Sequence, residues 1–219
     1  MAKFDLYAVL MGDLVRSESN AAIGELHHHF NDAVDRQNDE RAPVVASPLT
    51  ITLGDEFQGL LVSFLEAASA MRAMRLDLLA KGIECRFVVG AVSLRTPLND
   101  KRAWNMMGPG LGAARAKLND KRSPSLYRFS FPDDPQLERL LDAIGASLTA
   151  IERRWTDVQR ADILAALDGV TVAEIAQHRN VSVHTVYKVQ RSGELNLYMT
   201  QWHAVIEALA ALDRKAGRG

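Results

Sequence analysis

Residues 49–62 read Leu49-Thr50-Ile51-Thr52-Leu53-Gly54-Asp55-Glu56-Phe57-Gln58-Gly59-Leu60-Leu61-Val62. Two apolar runs, 49–53 and 57–62, flank Gly54-Asp55-Glu56, which predicts a tight β-hairpin with an acidic tip. A helical period lies on each side of it. Upstream, from 20 to about 38, Ile23, Leu26, Phe30 and Val34 fall on one stripe behind Asn20, a good N-cap. Downstream, from about 65 to 81, Ala68, Met71, Met74, Leu78 and Leu79 repeat at helical spacing until Gly82 stops the helix. The methionines read as core stripe rather than a cofactor box. A hairpin held between two helices needs antiparallel neighbours, which excludes a doubly wound parallel sheet.

Residues 6–12 form an apolar run too short for a helix, the pattern of a strand buried on both faces, and it ends on Asp13. Residues 85–94 predict a second such strand and 125–131 a last, edge-like one. Residues 42–47, with Pro43 and Pro48 around them, read as a loop, as does 97–107 with Trp104. Gly108-Pro109-Gly110-Leu111-Gly112 opens a short Ala-rich helix reaching about Leu118. The order β-α-ββ-α-β-(α)-β predicts a ferredoxin-like α+β domain over 1–131. Phe131-Pro132-Asp133-Asp134-Pro135 reads as a linker, and 132–219 as an all-α domain.

The 219 residues are 47% hydrophobic and 24% charged, which excludes a disordered or fibrous chain. With 26 Lys and Arg against 27 Asp and Glu, the net charge of -1 excludes a globally basic nucleic-acid binder, so such contact must come from a local patch. The single cysteine, Cys85, lies in an apolar run, which argues against thiolate catalysis and for a reducing cytoplasm. No run approaches the roughly 18 apolar residues of a membrane span, and the N-terminus lacks a signal-peptide pattern.

Adjacent strands would bring Asp13 and Asp55 together, and close carboxylates repel unless a cation joins them. Oxygen ligands without nearby His or Cys favour Mg²⁺ or Mn²⁺, commonly shared with phosphates. Glu56 is a third candidate ligand or a group that points away; turn chemistry alone is the other reading of these acids. His27, His28 and His29 cannot converge on one metal, because consecutive helical residues point about 100° apart.

Met11-Gly12-Asp13-Leu14-Val15-Arg16-Ser17 together with Gly54-Asp55-Glu56-Phe57-Gln58-Gly59-Leu60 resembles the SatD family of bacterial proteins over roughly residues 6–130, and in outline into the helical tail. The hairpin is also similar to the palm of nucleotide and diguanylate cyclases, where a first-strand Asp and a hairpin acid hold two metals against a nucleoside triphosphate. That resemblance implies a nucleotide-cyclase-like palm with Asp13 and Asp55 as metal ligands. Two departures stand out. Leu53 replaces the first glycine of the diguanylate cyclase hairpin, and Leu111 stands where adenylyl and guanylyl cyclases carry an Asn one turn before the Arg aligned with Arg115.

Gly108 and Gly110 at a helix start, with Arg115 beyond, form a candidate phosphate site; a tight turn with close packing is the alternative. Arg16 and Ser17 are further candidate phosphate contacts, Ser17 equally a cap. Lys117, Lys121 and Arg122 read as a solvated face.

In the tail, Leu137, Leu140, Leu141, Ile144, Leu148 and Ile151 give one helical stripe, and Val158, Ile163, Leu164 and Leu167 another that stops at Asp168-Gly169. Thr171 and Glu174 then form a capping box. A helix to His178, the turn Arg179-Asn180-Val181 and a second helix capped by Ser182 resemble the helix-turn-helix of sigma-factor region 4, over about 171–192. Ile175, Ala176, Val181, Val186 and Val189 are its packing positions. This nominates Ser182, Val183, His184, Thr185 and Lys188 near base edges, and Arg179 and Arg191 on phosphates. A final helix at about 194–212 would cap the tail or pair two protomers.

The expectation is a cytoplasmic DNA-binding transcriptional regulator, with a palm that binds a metal-nucleotide or other phosphorylated ligand and with DNA, a nucleotide and a second copy as partners. One alternative is a Mg²⁺- or Mn²⁺-dependent nucleotidyl transferase or cyclase. Another is a DNA-binding protein whose first domain only dimerises.

Overall fold

The strand β1 (Leu6–Leu14) lies in the middle of five in a computed structural model that describes residues 6–15, 23–52 and 54–217. Asn20 and Leu53 lie outside the described residues. Following β1 come α1 (Ile23–Glu40), β2 (Val45–Ile51), β3 (Glu56–Leu61), α2 (Phe64–Ala80), β4 (Cys85–Ser93), α3 (Leu111–Leu118) and β5 (Tyr127–Ser130). The strand order is β2-β3-β1-β4-β5, antiparallel throughout except for the parallel pair β4 and β5. The result is an α+β fold on a mixed five-stranded sheet.

Two expectations about this sheet are corrected. β1 runs through Asp13 to Leu14, because Asp13 is paired on both sides, with Glu56 of β3 and Arg86 of β4. The stretch read as a loop at 42–47 is a 3-10 turn, Ala42–Val44, followed directly by β2. Pro48 is tolerated in β2 because that strand lies at the sheet edge, where the register shifts between Ser47 and Thr50.

Alternation along the strands divides the core. Ala8, Leu10, Phe57, Phe87, Val89, Tyr127 and Phe129 face one side, against Phe30 of α1 and Met71, Met74 and Leu78 of α2. Val9, Met11, Leu60, Val88 and Val92 face the other, against Ala114 and Leu118 of α3 and the loop residues Ala103 and Met106. Gly12 pairs with Phe57, whose ring lies where a side chain on Gly12 would stand. That close approach seats Asp13 beside the start of β3.

The C-terminal helices are α4 (Pro135–Arg154), α5 (Asp157–Leu167), α6 (Val172–Arg179), α7 (Val183–Ser192) and α8 (Leu195–Lys215). Phe131–Pro135, read as a linker, carries the start of α4: Asp134 caps it and Pro135 sits in its first turn. Leu141 and Leu148 of α4, Ile163 of α5, and Tyr198, Trp202 and Val205 of α8 join the core on the α2 side of the sheet. Leu140, expected on that stripe, is 58% exposed.

Two polar devices also tie α2 to these helices. Asp213 of α8 accepts bonds from the Phe64 and Leu65 amides at 2.9 Å each and from the Ser63 hydroxyl at 2.8 Å. Arg75 of α2 donates to Glu152 of α4, Nη2 to Oε2 at 2.7 Å, and Tyr127 and Tyr198 donate to the other oxygen of the same carboxylate. Among the described residues, no helix is long and apolar enough to cross a membrane.

Candidate functional site

Asp13 is the only charged residue of β1 and Arg86 the only one of β4, and both point to the α3 side of the sheet with Met11 and Val88. Arg86 Nε lies 3.3 Å from Asp13 Oδ2. Both residues are 8% exposed, and Arg86 Nη1 is buried without a hydrogen-bond partner. The hairpin tip comes against β1 through the Leu14 amide, which donates to the Asp55 carbonyl at 3.0 Å. Gly54, with φ of +57°, turns the chain there through the left-handed region.

Burial raises the Asp13 pKa to about 6; Arg86 opposes the shift, while the nearby Asp55 and Glu56 carboxylates add to it. Lys121, expected on a solvated face, adds a smaller effect in the same direction as Arg86. Asp13 and Asp55 are thus brought together. Glu56 is held instead by Arg115, Nη1 to Oε2 at 3.2 Å, while Arg115 Nη2 donates to Gln58 Oε1 at 2.8 Å. Among the described residues no three His, Cys, Asp or Glu side chains gather in a metal-binding group. His28 pairs with Asp32 at 3.3 Å on the exposed side of α1.

The glycine-rich start of α3 is placed elsewhere. A Cβ on Gly108 would lie 1.8 Å from the Ser93 carbonyl oxygen and one on Gly110 2.1 Å from that of Ala91. These glycines let the loop close onto the end of β4, five residues beyond Arg86 or about 17 Å along the strand. Only Arg115, one and a half turns into α3, reaches the acidic end. Arg16 and Ser17 lie outside the described residues. Cys85 is buried, and burial pushes its thiol pKa well up, which fits a structural residue.

Arg86 and Gln58 were missed by the sequence reading. The available signal was a single polar residue interrupting each apolar run, Arg86 in one and Gln58 in the other, which marks a buried group that needs a partner.

A second surface lies on α6 and α7. Thr171 and Glu174 form the capping box of α6, Asn180 sits at φ 53° and ψ 47°, and the Val181 amide donates to the Ala176 carbonyl at 3.0 Å. Ile175, Ala176 and Val186 form the small core between the two helices, backed by Ala165 and Ala166 of α5. Ser182 caps α7, its hydroxyl 2.9 Å from that of Thr185, so both are engaged in holding the helix start. Val183, His184, Tyr187, Lys188 and Arg191 are exposed. Arg179 departs from this set: it is half-buried and ion-paired with the buried Asp162. Tyr187, 56% exposed, joins this face, one turn beyond Val183 and one before Arg191; its helical spacing from both is the signal for it in the sequence.

A family model described as the SatD family matches residues 7–209. Two solved structures, each of a bacterial light-regulated adenylyl cyclase, match at 12% and 13% identity with TM-scores of 0.40 and 0.39. Each match covers 58% of this chain and 43% of the other, less than half of those proteins' length. No curated protein matches the chain.

Proposed function

The chain belongs to the SatD family, and we propose that it is a DNA-binding transcriptional regulator whose sheet domain takes a phosphorylated ligand, a metal-nucleotide in the favoured reading. The observation that carries the proposal is the exposed face of α7. Two short helices joined by a left-handed turn, with a small residue where they cross, have the form of a helix-turn-helix. Its second helix presents Val183, His184, Tyr187, Lys188 and Arg191 together. Apolar, hydrogen-bonding and cationic groups side by side suit base edges and phosphates in a major groove. With Arg179 tied to Asp162, Lys188 and Arg191 supply most of the charge, so two copies on a palindromic site fit better than one.

The sheet domain supports the ligand half of the proposal. The order β2-β3-β1-β4, antiparallel and with two crossover helices, is that of a ferredoxin-like palm. Asp13 and Asp55 offer the oxygen-only donors that Mg²⁺ or Mn²⁺ takes when phosphates and water complete its shell. The buried, unpartnered Arg86 Nη1 beside them is suited to an anion. Nucleotidyl transfer is a second reading, favoured by the Asp13 and Asp55 pair. Leu111 and the engagement of Arg115 by Glu56 and Gln58 weigh against it.

Selection of duplexes from a random-sequence pool by the full chain, with and without Mg²⁺ and nucleoside triphosphates, tests the proposal. It predicts an enriched, two-fold symmetric site whose affinity changes when ligand is present. An unenriched pool under all conditions would overturn it.

A further inference from the structure

On the side of the sheet opposite Asp13, a cleft of about 660 Å³ separates α2 from α5 and α8. That volume lies within the range of sites that hold small organic ligands. Arg72 and Asp77 line it from α2, Arg36 from α1, Asp168 from the end of α5 and Trp202 from α8.

Arg72 is the unusual member. Its guanidinium carbon lies 5.1 Å from the centroid of the buried Trp202 ring, a cation-π distance. Among the described residues it has no carboxylate partner, its one hydrogen bond runs from Nη2 to the weak acceptor Met199 Sδ at 3.5 Å, and Nε is enclosed without a partner. Arg75, three residues on, shows the contrast, with its guanidinium held by Glu152. The same cleft holds an acceptor that is ion-paired but not fully hydrogen-bonded. Asp77 Oδ2 is buried and lacks a hydrogen bond, Arg36 Nη1 standing 3.5 Å away without hydrogen-bond geometry, while Lys81 takes the other oxygen.

An enclosed donor and an enclosed acceptor on one cleft leave two sets of bonds for a guest to make. The planar guanidinium of Arg72 matches a carboxylate or phosphate fork. Arg36 and Arg72 against Asp77 and Asp168 leave the cleft without net charge, which suits a zwitterion better than a dianionic phosphate. We propose that this cleft binds a small zwitterion of the α-amino acid class, its carboxylate on Arg72 and its ammonium on Asp77 and Asp168. Ala165 of α5 both lines the cleft and packs against the α6 and α7 core, so the guest sits one residue layer from the proposed DNA-reading helices.

Thermal unfolding of the full chain tests this, with the twenty proteinogenic L-amino acids added singly in millimolar excess beside acetate and methylammonium. At least one amino acid is expected to raise Tm by about 5 °C near saturation, with neither single-charge control doing so. Arg72→Met, which keeps the stem over Trp202, and the isosteric Asp77→Asn are each expected to abolish the rise relative to their own baselines. The same amino acid should change tryptophan fluorescence saturably in the wild type and not in Trp202→Phe, a readout independent of those variants. No rise with any amino acid, an equal rise with acetate, or a rise that persists in both cleft variants would overturn the proposal.

Discussion

Arg86 Nε and Asp13 Oδ2 stand 3.3 Å apart across the β1–β4 ladder, at directly paired positions on neighbouring strands. The pair leaves Asp13 buried beside two further carboxylates, and the burial and repulsion outweigh the single guanidinium, so the Asp13 pKa is raised to about 6. The native chain therefore binds the Asp13 proton more tightly than the unfolded chain does, between about pH 4 and 6. Stability from this group is greatest below that window and falls as pH rises through it, by about 3 kcal/mol in all. Urea unfolding of wild type and Asp13→Asn at pH 4 to 7 should show the difference moving by most of that amount in favour of the variant as pH rises.

Cation binding at the same end should show the reverse dependence. A cation on Asp13 and Asp55 competes with the Asp13 proton, so Mn²⁺ affinity measured by calorimetry should strengthen from pH 5 to 7 and release protons. Asp55→Ala should remove both effects. Affinity unchanged across that range would place any bound cation elsewhere.

Glu152 joins four elements through Arg75, Tyr127 and Tyr198. Glu152→Ala leaves Arg75, 1% exposed, without its counter-charge, and should cost about 3–5 kcal/mol in denaturant unfolding. Adding Arg75→Met should recover part of that loss, because the stranded charge is then gone.

Local chemistry made much of this molecule readable. The apolar alternation around Gly54-Asp55-Glu56 encodes the hairpin, and the spacing of Thr171, Glu174 and Asn180 encodes the boundaries of α6 and the turn beyond it, because caps and turns act over three or four residues. The nearness of Asp13 to Asp55 followed from strand adjacency alone. Partnerships made across the sheet were not readable in that way. Arg86 is a lone charge in a buried strand, and its partner is supplied only by the placement of β1 beside β4. Arg115 and Arg179 looked like phosphate contacts until Glu56 and Asp162, distant in sequence, were found to hold them. The glycines before α3 carried the same ambiguity: a phosphate loop and a close backbone approach both require glycine.

Gly110→Ala separates those two roles. The new Cβ would meet the Ala91 carbonyl at 2.1 Å, at a φ of +94° that disfavours any side chain, so a loss of about 3 kcal/mol is expected. Mn²⁺ affinity at the Asp13 end should be unchanged in whatever fraction remains folded. A weakened cation site at full stability would return the glycines to the ligand.

Arg179 and Lys188 divide the proposed DNA surface into a structural and a recognition part. Arg179→Ala should lower stability by about 3 kcal/mol, because it leaves Asp162, 1% exposed, buried without its cation. Lys188→Ala, on an exposed position, should leave Tm unchanged.

Fluorescence anisotropy of a selected duplex, titrated with wild type, Lys188→Ala and Arg191→Ala across a salt series, is the most direct test of DNA binding through α7. Each variant should bind more weakly, with a salt slope reduced by about 1, while unfolding at the wild-type Tm. No measurable affinity of the wild type at low salt, or wild-type affinity and salt slope in both variants, would contradict it.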